Sequence, residues 1–279
     1  MEAAKASSWQ QRSSQPRPGR WWSLDGISVC IPAYNEAEHL PQVVEEAFDT
    51  LAQLPGEHEV LVADDGSTDA TPAVLEYLGS RWPRLRVLHH PRNLGLAEAQ
   101  RTLLRAAQGR YIFHIGADGQ WRMAEMARML PLLQQGYDLV IGVRRRKCYG
   151  PWRRLVSWSY NQLVAWLWGQ HFRDLGSLKM ARAALWKQLQ VQAHSAFANA
   201  QRVLLAWANG ARVAWLPVEH YPRRRGRSSF VHPRQAFRAA WELVRFRFSG
   251  YSKLQVADPS WPLDRESETV SVEPCRRAA

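Results

Sequence analysis

The chain is poor in cysteine, in acidic residues and in long apolar runs. Its 279 residues include three cysteines, Cys30, Cys148 and Cys275. Their spacing fits neither a metal knuckle nor a redox pair, so no disulfide framework is expected and a reducing compartment is. No window approaches 18 consecutive apolar residues, which excludes a spanning helix. The N-terminus lacks the apolar core of a signal peptide. The nine histidines show no metal-ligand spacing and are read as structural. Ser177 and Ser195 stand in no nucleophile-elbow context, so hydrolase chemistry is not expected.

Basic and aromatic residues are plentiful. Thirty-seven Lys and Arg against 25 Asp and Glu give a formal charge of +12. Such a surplus points to anionic partners: phosphorylated substrates, a membrane surface or nucleic acid. The charge is concentrated: Arg144 to Arg154 holds six cationic residues, and Arg223 to Arg227 holds four arginines in five positions. The 14 tryptophans suit sites that are apolar at one end and wet at the other, including membrane interfaces. A hydrophobic content of 46% is that of a folded protein, long enough for one large core.

Residues 1–24 read as a disordered basic arm and residues 251–279 as a disordered polar tail. Between them, strands are expected at Ile27–Ala33, Glu59–Ala63, Arg86–His89, Tyr111–Ile115 and Asp138–Gly142. Helices are expected at about 37–54 with Asn35 as cap, from the 64–69 turn to Leu78, from Gly95 to Ala107, and at 123–134. This alternation predicts βαβ units and a parallel sheet, α/β in class. Further helices are expected at 152–168, 182–190, 197–208 and 233–248, a strand at 212–219, and a plain connection over 171–180. The domain 25–250 would thus have a first half, 25–143, and a basic, aromatic second half, 144–250.

Right-handed crossovers place the strand ends on one edge, where open α/β sheets bind ligands. Glu36, Asp64, Asp65 and Asp118 each follow a strand end directly. Singly they read as turn formers or caps. Together they read as a site, and an Asp there suits a hard cation that in turn holds phosphates.

The ordered motifs make the reading specific. Ile31-Pro32-Ala33-Tyr34-Asn35-Glu36, Asp64-Asp65-Gly66-Ser67-Thr68-Asp69, Asn93-Leu94-Gly95 and Ala117-Asp118-Gly119-Gln120 resemble, in that order, the signatures of family 2 glycosyltransferases with the Rossmann-like GT-A fold. Gly142-Val143-Arg144, the spacing of Arg153, Ser157 and Asn161, Arg173-Asp174, and Gly226-Arg227-Ser228 resemble the polyprenyl-phosphate branch, which includes dolichyl-phosphate mannose synthases. The resemblance covers about residues 26–250. It implies a mostly parallel sheet flanked by helices, with basic aromatic C-terminal helices, and inverting transfer of a sugar from a GDP- or UDP-sugar to a polyprenyl phosphate. By resemblance, Pro32, Tyr34, Glu36 and Asp65 line the base and ribose pocket. Gly95, Ala117, Asp118, Arg225 and Arg227 complete the donor site. Asp118 and Gln120 face Mg2+ or Mn2+ and the diphosphate. Arg144, Arg153 and Ser157 receive the acceptor phosphate, with Asp118 and Arg144 the catalytic pair.

The sequence departs from that pattern at three positions. Gly116 stands where the first carboxylate of Asp-x-Asp is expected, Gln201 where relatives commonly carry Glu, and Ser229 where they often carry Lys. Magnesium commonly uses one or two carboxylates plus substrate phosphates, so a weakened cation site is expected. Two alternatives stay open: a degenerate relative that binds nucleotide or lipid without turnover, and a transferase with a non-lipid acceptor. The Arg144–Arg154 run and the last helix, with Arg interleaved among Phe and Trp, read as elements resting on an anionic membrane surface. The expectation is a peripheral protein on the cytoplasmic membrane face, with or without a separate anchor. Nucleic acid is not expected, because the acidic strand ends would repel its backbone.

Overall fold

The computed structural model describes residues 23–146, 150–223 and 233–249. The expected tail lies outside these residues, as does the arm apart from Ser23 and Leu24. The first half alternates as β1 (Leu24–Ala33), α1 (Leu40–Leu51), β2 (Glu59–Asp64), α2 (Thr71–Arg81), β3 (Leu85–His89), α3 (Leu96–Ala106), β4 (Gly109–His114), α4 (Ala124–Gln134) and β5 (Leu139–Arg144). The second half contains α5 (Pro151–Trp168), β6 (Lys179–Arg182), α6 (Ala183–Gln188), α7 (Phe197–Ala208), β7 (Val213–Val218) and α8 (Pro233–Phe248).

These strands form a sheet of order β3-β2-β1-β4-β6-β5-β7. All neighbours are parallel except at β6, which runs antiparallel to both β4 and β5. The plain connection expected over 171–180 is therefore corrected: its last residues enter β6. The strand is four residues long, too short for a period to show, and pairing on both sides holds it in place.

Alternation along β1 divides the core in two. Ile27, Val29 and Ile31 face one side with α1, α2 and α4, while Cys30 faces the other with α3, α6, α7 and α8. Trp186 and Phe197 are the largest fully buried side chains on that second side. The chain moves outward from β1 to β2 and β3, then returns to place β4 on the opposite flank of β1. The direction of winding reverses between β1 and β4, so a crevice opens at their carboxyl ends.

Helix α1 begins three residues later than expected. Asn35 does not cap it: His39 occupies that position, and Asn35 has φ 54°, a left-handed backbone that interrupts the helix. The Asn35 Oδ1 instead accepts the Thr68 amide at 2.8 Å, and the Asn35 amide donates to Ser67 Oγ at 2.9 Å. These bonds tie the β1 and β2 exit loops together. Gly66 holds the third loop against them. Its φ is +68°, and a Cβ there would meet the Arg92 carbonyl carbon at 2.3 Å, so a side chain would push the 92–95 loop away.

Candidate active site

Four loops leave the carboxyl edge and meet at the crevice. The β1 exit carries Pro32, exposed Tyr34 and half-buried Glu36. Glu36 Oε1 accepts Arg223 at 2.7 Å, and Oε2 lies 3.0 Å from His39 Nδ1. Burial pushes the Glu36 carboxyl above its ordinary range; Arg223 opposes this, and the nearby Asp118 carboxylate adds to it. A cleft of about 290 Å3 is lined by Asn35, Glu36, His39, Asp69 and Arg223. A larger cleft, about 540 Å3, lies on the outer edge along α2 and β3. That second cleft is mainly apolar and far from the reversal point, so the smaller one is taken as the site.

The β2 exit carries Asp64 and Asp65, both buried. Register pairs Asp64 with His89 on β3, and their side chains meet at 3.0 Å. Asp65 has three partners: the Leu94 amide at 2.9 Å, the Gly95 amide at 2.8 Å and His90 Nδ1 at 2.7 Å. Its carboxylate therefore sets the 93–95 loop, which opens α3 at Gly95 with φ 91°. Three of the nine histidines, His39, His89 and His90, touch strand-end carboxylates. The in-register pairing of β2 and β3 was the signal for His89.

The β4 exit carries buried Ala117 and half-buried Asp118. Asp118 Oδ1 accepts the Gln120 amide at 3.2 Å. A Cβ added at Gly116 would meet only Asp118, with Oδ1 at 3.5 Å. A Cβ at Gly116 is therefore in ordinary van der Waals contact. Gln120 is zipped to the β7 exit: its Nε2 donates to the Tyr221 carbonyl at 3.2 Å, and its carbonyl accepts the Tyr221 amide at 2.9 Å. Among the described residues, no group of three or more His, Cys, Asp or Glu stands ready to hold a metal.

Arg144, half-buried at the end of β5, packs against buried Asp174. Its Nε donates to Asp174 Oδ2 at 2.7 Å, its backbone amide to the same oxygen at 3.0 Å, and its terminal nitrogen to Oδ1. Asp174 adopts φ 52°, which a short polar side chain tolerates. The Arg144 guanidinium also lies 5.9 Å from the Trp121 ring centroid, which joins it to the Asp118 loop. Ser157 is half-buried on α5, and its carbonyl accepts the Asn161 side-chain Nδ2 at 2.7 Å. Arg153 lies one helical turn before it, but its side chain is outside the described residues, as are Arg225, Arg227 and Ser229. Gln201 is buried on α7, away from the crevice, and its Oε1 accepts the Gln192 and Ala193 amides at 3.1 and 2.8 Å. The change from Glu at Gln201 therefore touches a loop anchor, since either residue type accepts these bonds.

The fold, the reversal point and the ordered strand-end carboxylates lead to one family. A family model described as glycosyl transferase family 2 matches residues 28–202. The chain belongs to that family. It is 29% identical over 230 residues to a dodecaprenyl-phosphate galacturonate synthase of Rhizobium johnstonii, covering 80% of this chain and 66% of that protein. It is 30% identical over 211 residues to an undecaprenyl-phosphate 4-deoxy-4-formamido-L-arabinose transferase of Proteus mirabilis, covering 74% and 63%. The chain thus spans just under two thirds of the length of these relatives. Its fold matches a glucosyl-3-phosphoglycerate synthase from Mycobacterium tuberculosis, solved with Mn2+, uridine diphosphate and glucosyl-3-phosphoglycerate. The TM-score is 0.61 at 20% identity over 80% of each chain. The GT-A fold expected from the family 2 motifs is the fold of this chain.

Proposed function

We propose that this family 2 member is the catalytic part of an inverting transferase that moves a sugar from a GDP- or UDP-sugar to a polyprenyl phosphate at a membrane surface. One observation carries the reading. Glu36 and Asp118 converge at the reversal point, and Arg144 reaches the same loop through Trp121. An acidic donor corner thus adjoins a cationic acceptor corner. The names of the two relatives, both polyprenyl-phosphate sugar transferases, support the same acceptor.

In this reading, Pro32, Tyr34 and Glu36 line the nucleoside pocket, and Asp65 shapes it by holding the Leu94 and Gly95 amides. Arg223, which lines the cleft and pairs with Glu36, would meet the diphosphate, and Arg225 and Arg227 would add to it. Asp118 would hold Mg2+ or Mn2+ together with diphosphate oxygens, because the described residues form no complete ligand set. Gln120 would support that loop through Tyr221. A bound cation would neutralise charge that develops on the leaving diphosphate. The acceptor phosphate, held by Arg144, Arg153 and Ser157, is already ionised. One of its oxygens forms the new bond to the anomeric carbon as the bond to the diphosphate breaks on the opposite face. Positioning rather than a general base supplies most of the acceleration.

Calorimetry with GDP and UDP, each with and without Mn2+, tests the donor half. One nucleotide is expected to bind, and to bind more tightly with metal; failure of both to bind overturns the reading. Gly116→Asp sharpens the test. A Cβ at 116 meets nothing closer than Asp118 Oδ1 at 3.5 Å, so the variant is expected to fold, and its second carboxylate should tighten Mn2+-dependent nucleotide binding by roughly tenfold, as a second charged ligand would.

The membrane half rests on α5 and α8, which pack together. Trp168 stacks on Phe246 at 6.1 Å between centroids, and Arg247 Nε donates to the Leu167 carbonyl at 2.8 Å. Leu155, Trp158, Trp166, Phe237, Trp241 and Phe248 remain exposed on these two helices. Arg245 lies 5.2 Å from the Trp241 ring. Large exposed aromatics beside arginines suit the headgroup region of an anionic bilayer. No helix of the described residues is long and apolar enough to cross a membrane. The exposed aromatic and basic faces of α5 and α8 support a peripheral position on the cytoplasmic face, with or without a separate anchor. Trp166→Ala with Phe237→Ala should weaken co-sedimentation with phosphatidylglycerol vesicles by more than about tenfold, each lost ring removing about 1.5–3 kcal/mol of burial. Unchanged binding would show that another surface meets the lipid.

A further inference from the structure

Three polar side chains bond in series at the 93–95 loop, and the proposed chemistry uses only the first of them. Asp65 Oδ1, at the β2 exit, lies 2.7 Å from His90 Nδ1. His90 Nε2 lies in turn 2.9 Å from Thr102 Oγ1 on α3. The His90 side chain is 8% exposed and that of Asp65 3%. A carboxylate only accepts, so Nδ1 carries the proton of the first bond, and Thr102 holds the ring at its other nitrogen.

The series fastens the loop at both ends. His90 directly follows β3, and its amide donates to the Asp64 carbonyl at 2.9 Å. The Asp65 amide donates to the Ala33 carbonyl of β1, also at 2.9 Å. Thr102 comes after Gly95 by about two turns of α3. Between these fixed points, Asp65 Oδ1 accepts the Leu94 amide and Oδ2 the Gly95 amide. Oδ1 thus serves the loop and the imidazole together, and the aim of the carboxylate depends on His90. Carboxylate, imidazole and hydroxyl in this order is also the connectivity of a nucleophile triad. A nucleophile must open on its substrate, whereas Thr102 lines neither of the two clefts described above. The hydroxyl therefore holds the ring rather than attacking a substrate.

We propose that His90, held by Thr102, is a positioning residue that fixes the Asp65 carboxylate and, through it, the 93–95 side of the nucleoside pocket. This rests on the donor reading above and adds to it two residues that act through Asp65 rather than on the nucleotide. With one oxygen pinned by the imidazole, the carboxylate keeps both loop amides in place before a nucleotide arrives, so less ordering is left to binding. A loop released from that hold would meet the nucleoside part more weakly. The diphosphate, placed on Asp118 and Arg223 of other loops, would be met as before.

The test separates the loop from the pocket. Thr102→Val removes the hydroxyl at nearly constant shape, His90→Gln withdraws the donor facing Asp65, and Thr102→Ser keeps the hydroxyl. Amide exchange at Leu94 and Gly95, measured without ligand, reads the loop. Calorimetry with UDP, GDP and inorganic diphosphate, each with Mn2+, reads the pocket. Thr102→Val and His90→Gln should speed exchange at both amides and weaken nucleotide binding by roughly two- to tenfold, as loss of one hydrogen bond does. Diphosphate binding should not change, and Thr102→Ser should behave as the unaltered chain. Thr102→Val alone decides the matter should His90→Gln not fold. Equal weakening of nucleotide and diphosphate, unchanged nucleotide affinity, or unchanged exchange would each overturn the positioning role. If neither UDP nor GDP binds the unaltered chain, the donor reading falls, while the exchange rates still decide whether His90 sets the loop.

Discussion

Asp118→Ala is expected to reduce sugar transfer by two to three orders of magnitude while leaving the fold intact. The first half of that expectation follows from charge. A nucleoside diphosphate leaves with charge building on its oxygens, and a preorganised group that stabilises it is worth about 10²–10³ in rate. Asp118 sits at the exit of β4, where the winding reverses, and is close enough to Glu36 to raise the latter's pKa. The second half follows from contacts. Asp118 is half-buried, and it accepts the Gln120 amide two residues on. Losing one such bond costs about 1 kcal/mol, or no more than about 4 °C in melting temperature. Asp118→Asn keeps an acceptor for that amide and should be as inactive as the alanine variant. Initial rates of nucleotide release, measured beside thermal unfolding, separate the two effects. Full turnover in either variant would remove Asp118 from the mechanism.

Arg144→Ala and Asp174→Ala should each destabilise the protein by about 3–5 kcal/mol, because each strands the other's buried charge. The Arg144 and Asp174 side chains are 9% and 4% exposed, and the pair is bidentate with a backbone amide added. Combining Arg144→Met with Asp174→Asn should restore most of that stability. Asn tolerates the left-handed backbone at 174 and still accepts the Arg144 amide, while Met fills the stem volume. Turnover should not return, since the Arg144 guanidinium would still be missing from the acceptor-phosphate site. Replacing Arg144 and Arg153 together should raise the KM for lipid far more than that for the donor. Equal increases would contradict the acceptor role. Stability curves in urea report the coupling directly, and an additive double variant would mean that the pair does not act as a unit.

The motifs also carry unequal information. Asp64 and Asp65 are adjacent in sequence and alike in chemistry, yet each meets a different histidine, and Asp64 accepts the Ser67 amide of its own turn at 3.0 Å whereas Asp65 holds the distant 93–95 loop. Both face away from bulk solvent, so composition gives no hint of which amide each would accept. Gln120 belongs to the same run as Asp118, but its side chain is spent on Tyr221, about a hundred residues later. The run names the loop; the β7 exit decides which of its side chains remains to meet a substrate.

The sequence by itself determined the alternation of strands and helices, the edge at which they end and the carboxylates found there. Apolar runs such as Ile112-Phe113 and the turn chemistry of Asp64 to Asp69 are local, and local physics is enough to specify them. Family membership was legible for the same reason, since its signatures are short and lie at strand ends. The tertiary structure alone decided β6, because four residues carry no usable period and their pairing partners lie more than 30 residues away. It alone turned three histidines and Arg223 toward strand-end carboxylates, and it alone locked Arg144 to Asp174.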